Sequence, residues 1–164
     1  MEQTLIKEKE ETAVPAEGGV TKVCFVCTGN TCRSPMAAAL LNHLGKGRYK
    51  ATSAGLYANE GEPISEDAVL ALRKRGIDPT PGNEYDRHTA KNLSGRVFEE
   101  NDVVVGISQN HAMAMMRAFP FQLGKITTFD RDVPDPFMKG PAEYEKCLAT
   151  LEELIRRRFL TEEK

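Results

Sequence analysis

Apolar runs and amphipathic runs alternate along this chain of 164 residues. The β-branched run VTKVCFVC over residues 20–27 predicts a buried first strand, and short strands are also predicted near residues 49–53, 101–107 and 125–129. Strands that alternate with helices are typical of a parallel sheet covered on both faces. We therefore expect a doubly wound, flavodoxin-like α/β fold with four parallel strands in the order 2-1-3-4.

Capping residues predict where the helices begin and end. Ser34 is the expected N-cap of the first helix, Pro35 is expected at its first position, and Gly45 is expected to end it. Two further helices are expected after the caps Ser65 and Ser108. A long final helix is predicted from an apolar stripe, which consists of Tyr144, Cys147, Leu148, Leu151, Leu154, Ile155 and Phe159.

Charge and hydropathy narrow the class of protein. The net charge of −2 argues against a broad basic surface, and we expect no nucleic acid and no membrane as partner. Residues 1–19 mix charges without an apolar signal region, which predicts a disordered tail before a single domain over residues 20–164. Four cysteines without an export signal favour a reducing compartment, and we expect a cytoplasmic monomer.

The stretch CTGNTCR places two reactive side chains at the two ends of one loop. Cys27 ends the first strand and Arg33 precedes the first helix, and the loop between them consists of Thr28, Gly29, Asn30, Thr31 and Cys32. A helix N-terminus attracts anions through its unpaired N–H groups. Gly29 permits a turn with positive φ, which lets the loop amides curl around an oxyanion. Arg33 adds a planar guanidinium that binds two phosphate oxygens at once.

Cys27 lies at the base of this predicted phosphate cradle, where the surrounding groups favour a negative sulfur. We expect the sulfur to attack a bound phosphoryl group and to form a phosphocysteine that water then hydrolyses. The loop amides and Arg33 stabilise the charge of the transition state, so we expect no metal and no cofactor. A phosphate-binding module without catalysis is the alternative.

Departure of the dephosphorylated group requires a proton, and Asp135 is the candidate acid. Pro136 restricts Asp135 to an extended conformation, and the segment follows the last predicted strand on the same rim as the cradle. Asp130 and Asp132 are rivals because they lie nearby in the sequence. A loop aspartate can also serve only as a turn former.

The segment VCFVCTGNTCRSPMAAALL, together with a later DPF, resembles the low-molecular-weight protein phosphatase family from Val20 to the final helix. The resemblance implies that Cys27 is the nucleophile, Arg33 the phosphate clamp and Asp135 the general acid and base. It also implies a hydrogen-bonded network that supports the loop, formed by Asn30, Ser34, Ser53 and His88. His88 could equally be an ordinary loop histidine.

Thr31 is the expected selector among phosphorylated protein substrates. Family members that act on phosphotyrosine usually carry Ile or Leu there, whereas CTGNTCRSPMA resembles the bacterial protein-arginine phosphatase branch. Tyr57 and Phe137 match the aromatic walls of the substrate pocket in that branch, where a guanidinium can stack. We expect a phosphoarginine phosphatase, with a phosphotyrosine phosphatase as the alternative. MKG after DPF departs from the glycine-rich continuation of the family.

The cysteines leave further alternatives open. The resemblance implies that Cys27 and Cys32 can form a reversible disulfide under oxidation, although Cys32 could instead only pack within the loop. An arsenate reductase is disfavoured, since only Cys147 remains as a relay thiol after the third strand. A zinc or thioredoxin-like site at Cys24 and Cys27 is disfavoured because their side chains leave opposite faces of a strand. Cys24 and Cys147 are expected to be buried hydrophobes.

Overall fold

Four parallel strands form the sheet in the described part of the chain. The computed structural model describes residues 19–161, so the predicted tail over residues 1–19 lies, apart from Gly19, outside the described part. The strands are β1 (Thr21–Cys27), β2 (Tyr49–Gly55), β3 (Val103–Gly106) and β4 (Ile126–Thr128). Their spatial order is β2-β1-β3-β4 with every pairing parallel, and the predicted fold class is confirmed.

Five α-helices connect and cover the strands in the described part of the chain. They are α1 (Arg33–Leu44), α2 (Glu66–Lys74), α3 (Gly95–Glu100), α4 (Gln109–Ala118) and α5 (Pro141–Phe159). Short 3-10 helices occur at Tyr85–Arg87 and Pro120–Lys125. The sequence pattern did not predict α3 because its six residues are too few to display a helical period.

The two faces of the sheet bury separate apolar cores. Side chains of β1 such as Phe25 pack with α1, α2 and α5 on one face, whereas Cys24 and Val26 pack with α3 and α4 on the other. The predicted apolar stripe of α5 is confirmed, because all seven of its residues are buried. Cys24 and Cys27 belong to different cores, as expected for residues three apart on a strand.

The first helix begins earlier than the capping pattern predicted. Cys32 is the N-cap of α1, and Arg33 and Ser34 are already helical, so the expected cap at Ser34 and first position at Pro35 are wrong. The Ser34 hydroxyl is not available to cap the helix because it contacts Cys27 and Asn30. Arg33 and Ser34 are therefore both held in the first turn of α1.

The carboxyl ends of the strands collect the candidate site residues on one rim of the sheet. Cys27 ends β1, the first turn of α4 follows β3, and the loop that carries Asp135 follows β4. Within residues 19–161, the helices are too short or too polar for any of them to traverse a lipid bilayer.

The close packing of β3 against α4 gives the first testable expectation. A Cβ added at Gly106 would lie 2.6 Å from the main-chain nitrogen of Ala112, and neither backbone can retreat without moving the sheet or the helix. We expect Gly106→Ala to lower the free energy of unfolding by about 1–3 kcal/mol, measured by urea denaturation. Gly124→Ala is the control, because a Cβ at Gly124 meets nothing within 4 Å. Equal stability of the two variants would contradict this packing argument.

Candidate active site

Donors from outside the loop hold the carbonyl groups between β1 and α1. Four main-chain carbonyls accept such bonds: Cys27 O from Leu56 N and Thr28 O from Tyr57 N, both at 2.9 Å, Asn30 O from His88 Nε2 at 2.8 Å, and Thr31 O from Ser65 N at 2.9 Å. A fifth carbonyl, that of Cys32, accepts from the N–H of Met36 at the start of α1. The loop carbonyls are therefore directed away from the loop's interior.

This outward direction fixes where the amides point. In a planar trans peptide the N–H of the next residue points opposite to the carbonyl, and the structure contains no cis peptide bond in its described part. The N–H groups of the loop therefore face its concave side. Among the described residues, no group accepts a hydrogen bond from the main-chain N–H groups of residues 28–32. The loop is a cradle of donors, which is the expected arrangement for a bound anion.

The left-handed residue of the cradle is Asn30, not Gly29. Asn30 has a φ of 61°, whereas Gly29 does not adopt a positive φ, so the expected role of Gly29 is wrong. Asparagine tolerates this conformation better than most residues because its short amide can bond locally. A Cβ at Gly29 would meet nothing within 4 Å, so the structure gives no steric reason for a glycine there.

The buried side chain of Asn30 is the centre of the network beneath the cradle. Its Nδ2 donates to Ser34 Oγ at 2.9 Å and to Ser53 Oγ at 3.0 Å, and its Oδ1 accepts from the Lys91 N–H at 3.0 Å. His88 donates to the carbonyl of the same residue, and burial lowers the pKa of His88, which favours the neutral imidazole. The structure thus brings together Asn30, Ser34, Ser53 and His88.

Ser34 connects this network with Cys27. Its Oγ lies 3.0 Å from Cys27 Sγ, and both side chains are buried. Because Asn30 already donates to the Ser34 oxygen, the hydroxyl hydrogen of Ser34 is free to point at the sulfur. A hydroxyl that donates to sulfur stabilises its negative form.

Arg33 is fixed at the rim of the cradle. It is 8% exposed, its Nη1 donates to the Val133 carbonyl at 3.0 Å, and its Nη2 lies 3.6 Å from Asp135 Oδ2. The guanidinium is therefore oriented by a main-chain carbonyl and faces the cleft with its remaining donors.

Asp135 is the loop aspartate that reaches the cleft. Its Oδ1 accepts from the Phe137 N–H at 3.0 Å, which leaves Oδ2 toward Arg33 and solvent. The rival carboxylates are engaged elsewhere: Asp130 pairs with Arg157, and Asp132 accepts from the Gln109 N–H at the start of α4, each at 2.8 Å. Neither rival lines the cleft.

The cleft above the cradle has a volume of about 340 Å³. Tyr57 and Phe137 form its walls and are 82% and 55% exposed, so Tyr57 does not pack beneath a loop. Thr31 lines the floor with the other cradle residues. Two polar residues that the sequence pattern did not predict, Asn59 and Glu62, also line the cleft, because nothing in their local sequence indicates that their loop folds over the cradle.

His111 is a further residue near the cradle that the sequence pattern did not predict. The Ser108 N–H donates to His111 Nδ1 at 3.1 Å, so the ring proton lies on Nε2, which donates to Thr28 Oγ1 at 3.1 Å. Burial, followed by the charge of Arg33, lowers the pKa of His111 to about 4, which keeps the ring neutral at neutral pH. The spacing Ser-x-x-His at a helix start was the available signal, but it predicts a cap and not a contact with Thr28.

The four cysteines are reduced in this structure. Cys32 Sγ lies 3.0 Å from the Tyr144 hydroxyl, and burial raises the pKa of the Cys32 thiol. The expected disulfide between Cys32 and Cys27 stays a prediction. Burial raises the pKa of Cys24 to about 11 and that of Cys147 to about 12, and both thiols are buried as expected. In the part of the chain that the structure describes, no group of three His, Cys, Asp or Glu side chains could hold a metal ion.

Known proteins share this sequence and this fold. A protein-arginine-phosphatase of Geobacillus stearothermophilus is 35% identical over 144 residues, which cover 83% of this chain and 92% of that protein. The structure of a low molecular weight protein tyrosine phosphatase from T. tengcongensis superposes with a TM-score of 0.78 at 34% identity, covering 87% of this chain and 99% of that one.

A second similar structure is that of an arginine phosphatase variant with a phosphorylated active-site serine. It has a TM-score of 0.75 at 30% identity and covers 84% of this chain and 92% of that one. The family described as low molecular weight phosphotyrosine protein phosphatase matches residues 22–163. The cradle and the loop that carries Asp135 (residues 129–140, called the acid loop) lie within that range, and the chain belongs to this family.

Proposed function

We propose that this protein is a cysteine-dependent phosphatase that removes phosphoryl groups from arginine side chains of proteins. The observation that carries the proposal is the position of Cys27 Sγ beneath a loop whose main-chain N–H groups lack a protein acceptor among the described residues. The relative with a phosphorylated serine at the active site supports a covalent intermediate at this position. We also propose that residues 20–164 form a single domain and that the protein acts as a monomer.

In the first step the Cys27 sulfur attacks phosphorus and displaces the guanidinium nitrogen of the substrate. The P–N bond breaks as the S–P bond forms, and Asp135 gives its proton to the departing nitrogen. The loop N–H groups and Arg33 bind the equatorial oxygens and stabilise the charge that they carry in the transition state. Asp135 can approach because its Oδ2 faces the cleft.

In the second step water hydrolyses the phosphocysteine. Asp135, now a carboxylate, takes a proton from the attacking water, the S–P bond breaks, and inorganic phosphate leaves. The Ser34 hydroxyl, 3.0 Å from the sulfur, donates to the departing thiolate and stabilises it. Asp135 is then protonated again and the Cys27 sulfur is free, so the enzyme has returned to its starting form.

Two features of the cleft favour a guanidinium over a phenyl ring. Thr31 supplies a hydroxyl on the floor instead of an apolar side chain, and Glu62 adds a carboxylate to the lining. Glu62 has no ion-pair partner among the described residues, so it can face a cationic substrate. Tyr57 and Phe137 provide exposed aromatic faces on which a guanidinium stacks. The alternative, phosphotyrosine, is supported by the tyrosine phosphatase relative at similar identity.

We also assign a positioning role to His111. Its neutral ring ties Thr28, the residue after the nucleophile, to the first turn of α4. The same turn holds the acid loop through the bond from the Gln109 N–H to Asp132. The cradle and the acid loop therefore share one support.

Replacing Asp135 tests the acid. Asp135→Asn cannot give or take the proton, and we expect kcat on a phosphoarginine peptide to fall by about 10²–10⁴. An aryl phosphate with a strongly acidic phenol needs less protonation and should lose less activity. Asp130→Asn is the control, since Asp130 pairs with Arg157 outside the cleft. Full activity of Asp135→Asn at neutral pH would show that another group supplies the proton.

Substrate choice is tested with matched phosphoarginine and phosphotyrosine peptides. We expect the wild-type protein to have the higher kcat/KM on phosphoarginine. Thr31→Ile should shift the ratio toward phosphotyrosine by at least tenfold, because an aliphatic floor packs better against a phenyl ring. Thr31→Ser keeps the hydroxyl and is the control, and Cys27→Ser is the inactive blank. An unchanged ratio in Thr31→Ile would remove Thr31 as the selector.

The buried imidazole of His111 predicts a pH dependence of stability. Its folded pKa of about 4 lies below the ordinary 6.5, so below pH 6.5 the unfolded chain takes up a proton that the folded chain refuses. The wild type should therefore lose stability relative to His111→Gln as the pH falls, by about 2 kcal/mol between pH 7 and pH 5 in urea denaturation. His43→Gln removes an exposed imidazole and is the control. Equal pH trends in both variants would contradict the buried neutral ring.

A further inference from the structure

A second cleft of about 340 Å³ lies on the α3 side of strands β1 and β2. Its lining includes three lysines, Lys22, Lys50 and Lys91, and we call it the lysine cleft. The buried thiol of Cys24 and the side chain of Thr52 contribute to its floor. None of the three lysines belongs to the cradle, the acid loop or the aromatic walls described above.

The strand register places two of the lysines side by side. Lys22 of β1 is the direct partner of Lys50 of β2, and the next pair on the same face is Cys24 with Thr52. Like charges directly opposite on neighbouring strands destabilise a sheet. Lys91 adds a third positive charge, and it lines the same cleft as the Cys24 thiol. An anion between the three ammonium groups would relieve their repulsion.

The nearby carboxylates form no direct ion pair with these lysines. Glu100 also lines the cleft, but its Oε2 pairs with Arg96 at 2.8 Å. Asp102 accepts from the main-chain N–H of Lys22 at 2.8 Å. Within residues 19–161, no carboxylate forms an ion pair with Lys22, Lys50 or Lys91.

Three lysines elsewhere on the surface have partners. Lys74 pairs with Glu145 at 3.1 Å and Lys146 with Glu143 at 3.4 Å, whereas Lys125 donates to two main-chain carbonyls. Lys46 and Lys139 also form no ion pair among the described residues, so what distinguishes the lysine cleft is that three such lysines line one concavity.

The lysine cleft is separate from the active site. Lys22 and Cys27 stand near opposite ends of β1, and five residues of strand extend over about 16 Å. Lys91 nevertheless connects the two, because its main-chain N–H donates to Asn30 Oδ1 beneath the cradle at 3.0 Å. One compact ligand cannot fill both places, but it can contact a residue that supports the cradle.

We propose that the lysine cleft binds a small anion that carries two or more phosphoryl groups. Lysine ammonium groups bind phosphoryl oxygens as point charges, and three of them match the several negative charges of such an anion. The volume of the cleft suits a compact oligophosphate or the phosphoryl groups of a doubly phosphorylated peptide.

Amide chemical shifts test this site separately from the cradle. We expect inorganic tripolyphosphate, added to the ¹⁵N-labelled protein, to shift the amides of residues 22, 50, 52 and 91 in addition to those of residues 27–33. In the triple variant Lys22→Gln/Lys50→Gln/Lys91→Gln, the dissociation constant read from residue 52 should rise at least tenfold. The shifts of residues 27–33 should remain.

The matched control is Lys46→Gln/Lys74→Gln/Lys146→Gln, which removes the same charge elsewhere and should bind in the cleft within twofold of the wild type. Shifts confined to residues 27–33, or an equal loss of affinity in both triple variants, would overturn the proposal.

A doubly phosphorylated peptide, tested on Cys27→Ser, distinguishes the two possible sources of the phosphoryl groups. Tighter binding of the peptide than of tripolyphosphate would identify a phosphoprotein ligand, and the reverse a free oligophosphate.

Discussion

The active site depends on the direction of a few peptide planes. Each carbonyl of the loop that an outside donor holds obliges the following N–H to face the cleft, and the donors come from four separate parts of the chain. Because the fold already directs these amides toward the site, an anion can bind them without reorganisation of the backbone. A tetrahedral anion that accepts several hydrogen bonds from these N–H groups is therefore bound more tightly, because the fold has already oriented the donors. Arg33 adds a positive charge to the site but does not orient the loop amides.

The same constraint explains why so much structure surrounds so short a loop. Asn30 accepts the one left-handed conformation of the cradle, and its amide then orients Ser34, whose hydroxyl hydrogen is left for Cys27. His111 and Asp132 tie the cradle and the acid loop to the first turn of α4. A change at any of these supports alters the direction of a donor, and the catalytic side chains can remain intact while the site loses its geometry.

Sequence alone predicted the parts of the site whose chemistry is local. The interval between Cys27 and Arg33, the strand before it and the helix after it all follow from adjacent residues, and the parallel sheet follows from their repetition. The sequence favours Gly29 as the left-handed residue because glycine has no Cβ to hinder a positive φ. In the structure Asn30 adopts this conformation instead, and tertiary hydrogen bonds hold its side-chain amide. Ser34 was assigned to a cap for a similar reason: its preference for helix starts is local, whereas its contact with Cys27 requires the folded loop.

Residues that reach the site from distant segments could not be predicted from their own surroundings. Glu62 and His111 enter because a loop after β2 and the helix after β3 fold toward the cradle. Glu62 lies in no distinctive motif, and the Ser-x-x-His spacing of His111 predicts only a helix cap. Met138, next to the aromatic wall, has a φ of 62° in the segment where the family pattern led us to expect glycine. Its side chain is 83% exposed, so the strain there is not compensated by burial. The loop that carries Asp135 thus combines a carboxylate that is held by the Phe137 N–H with a backbone that is costly to hold in place.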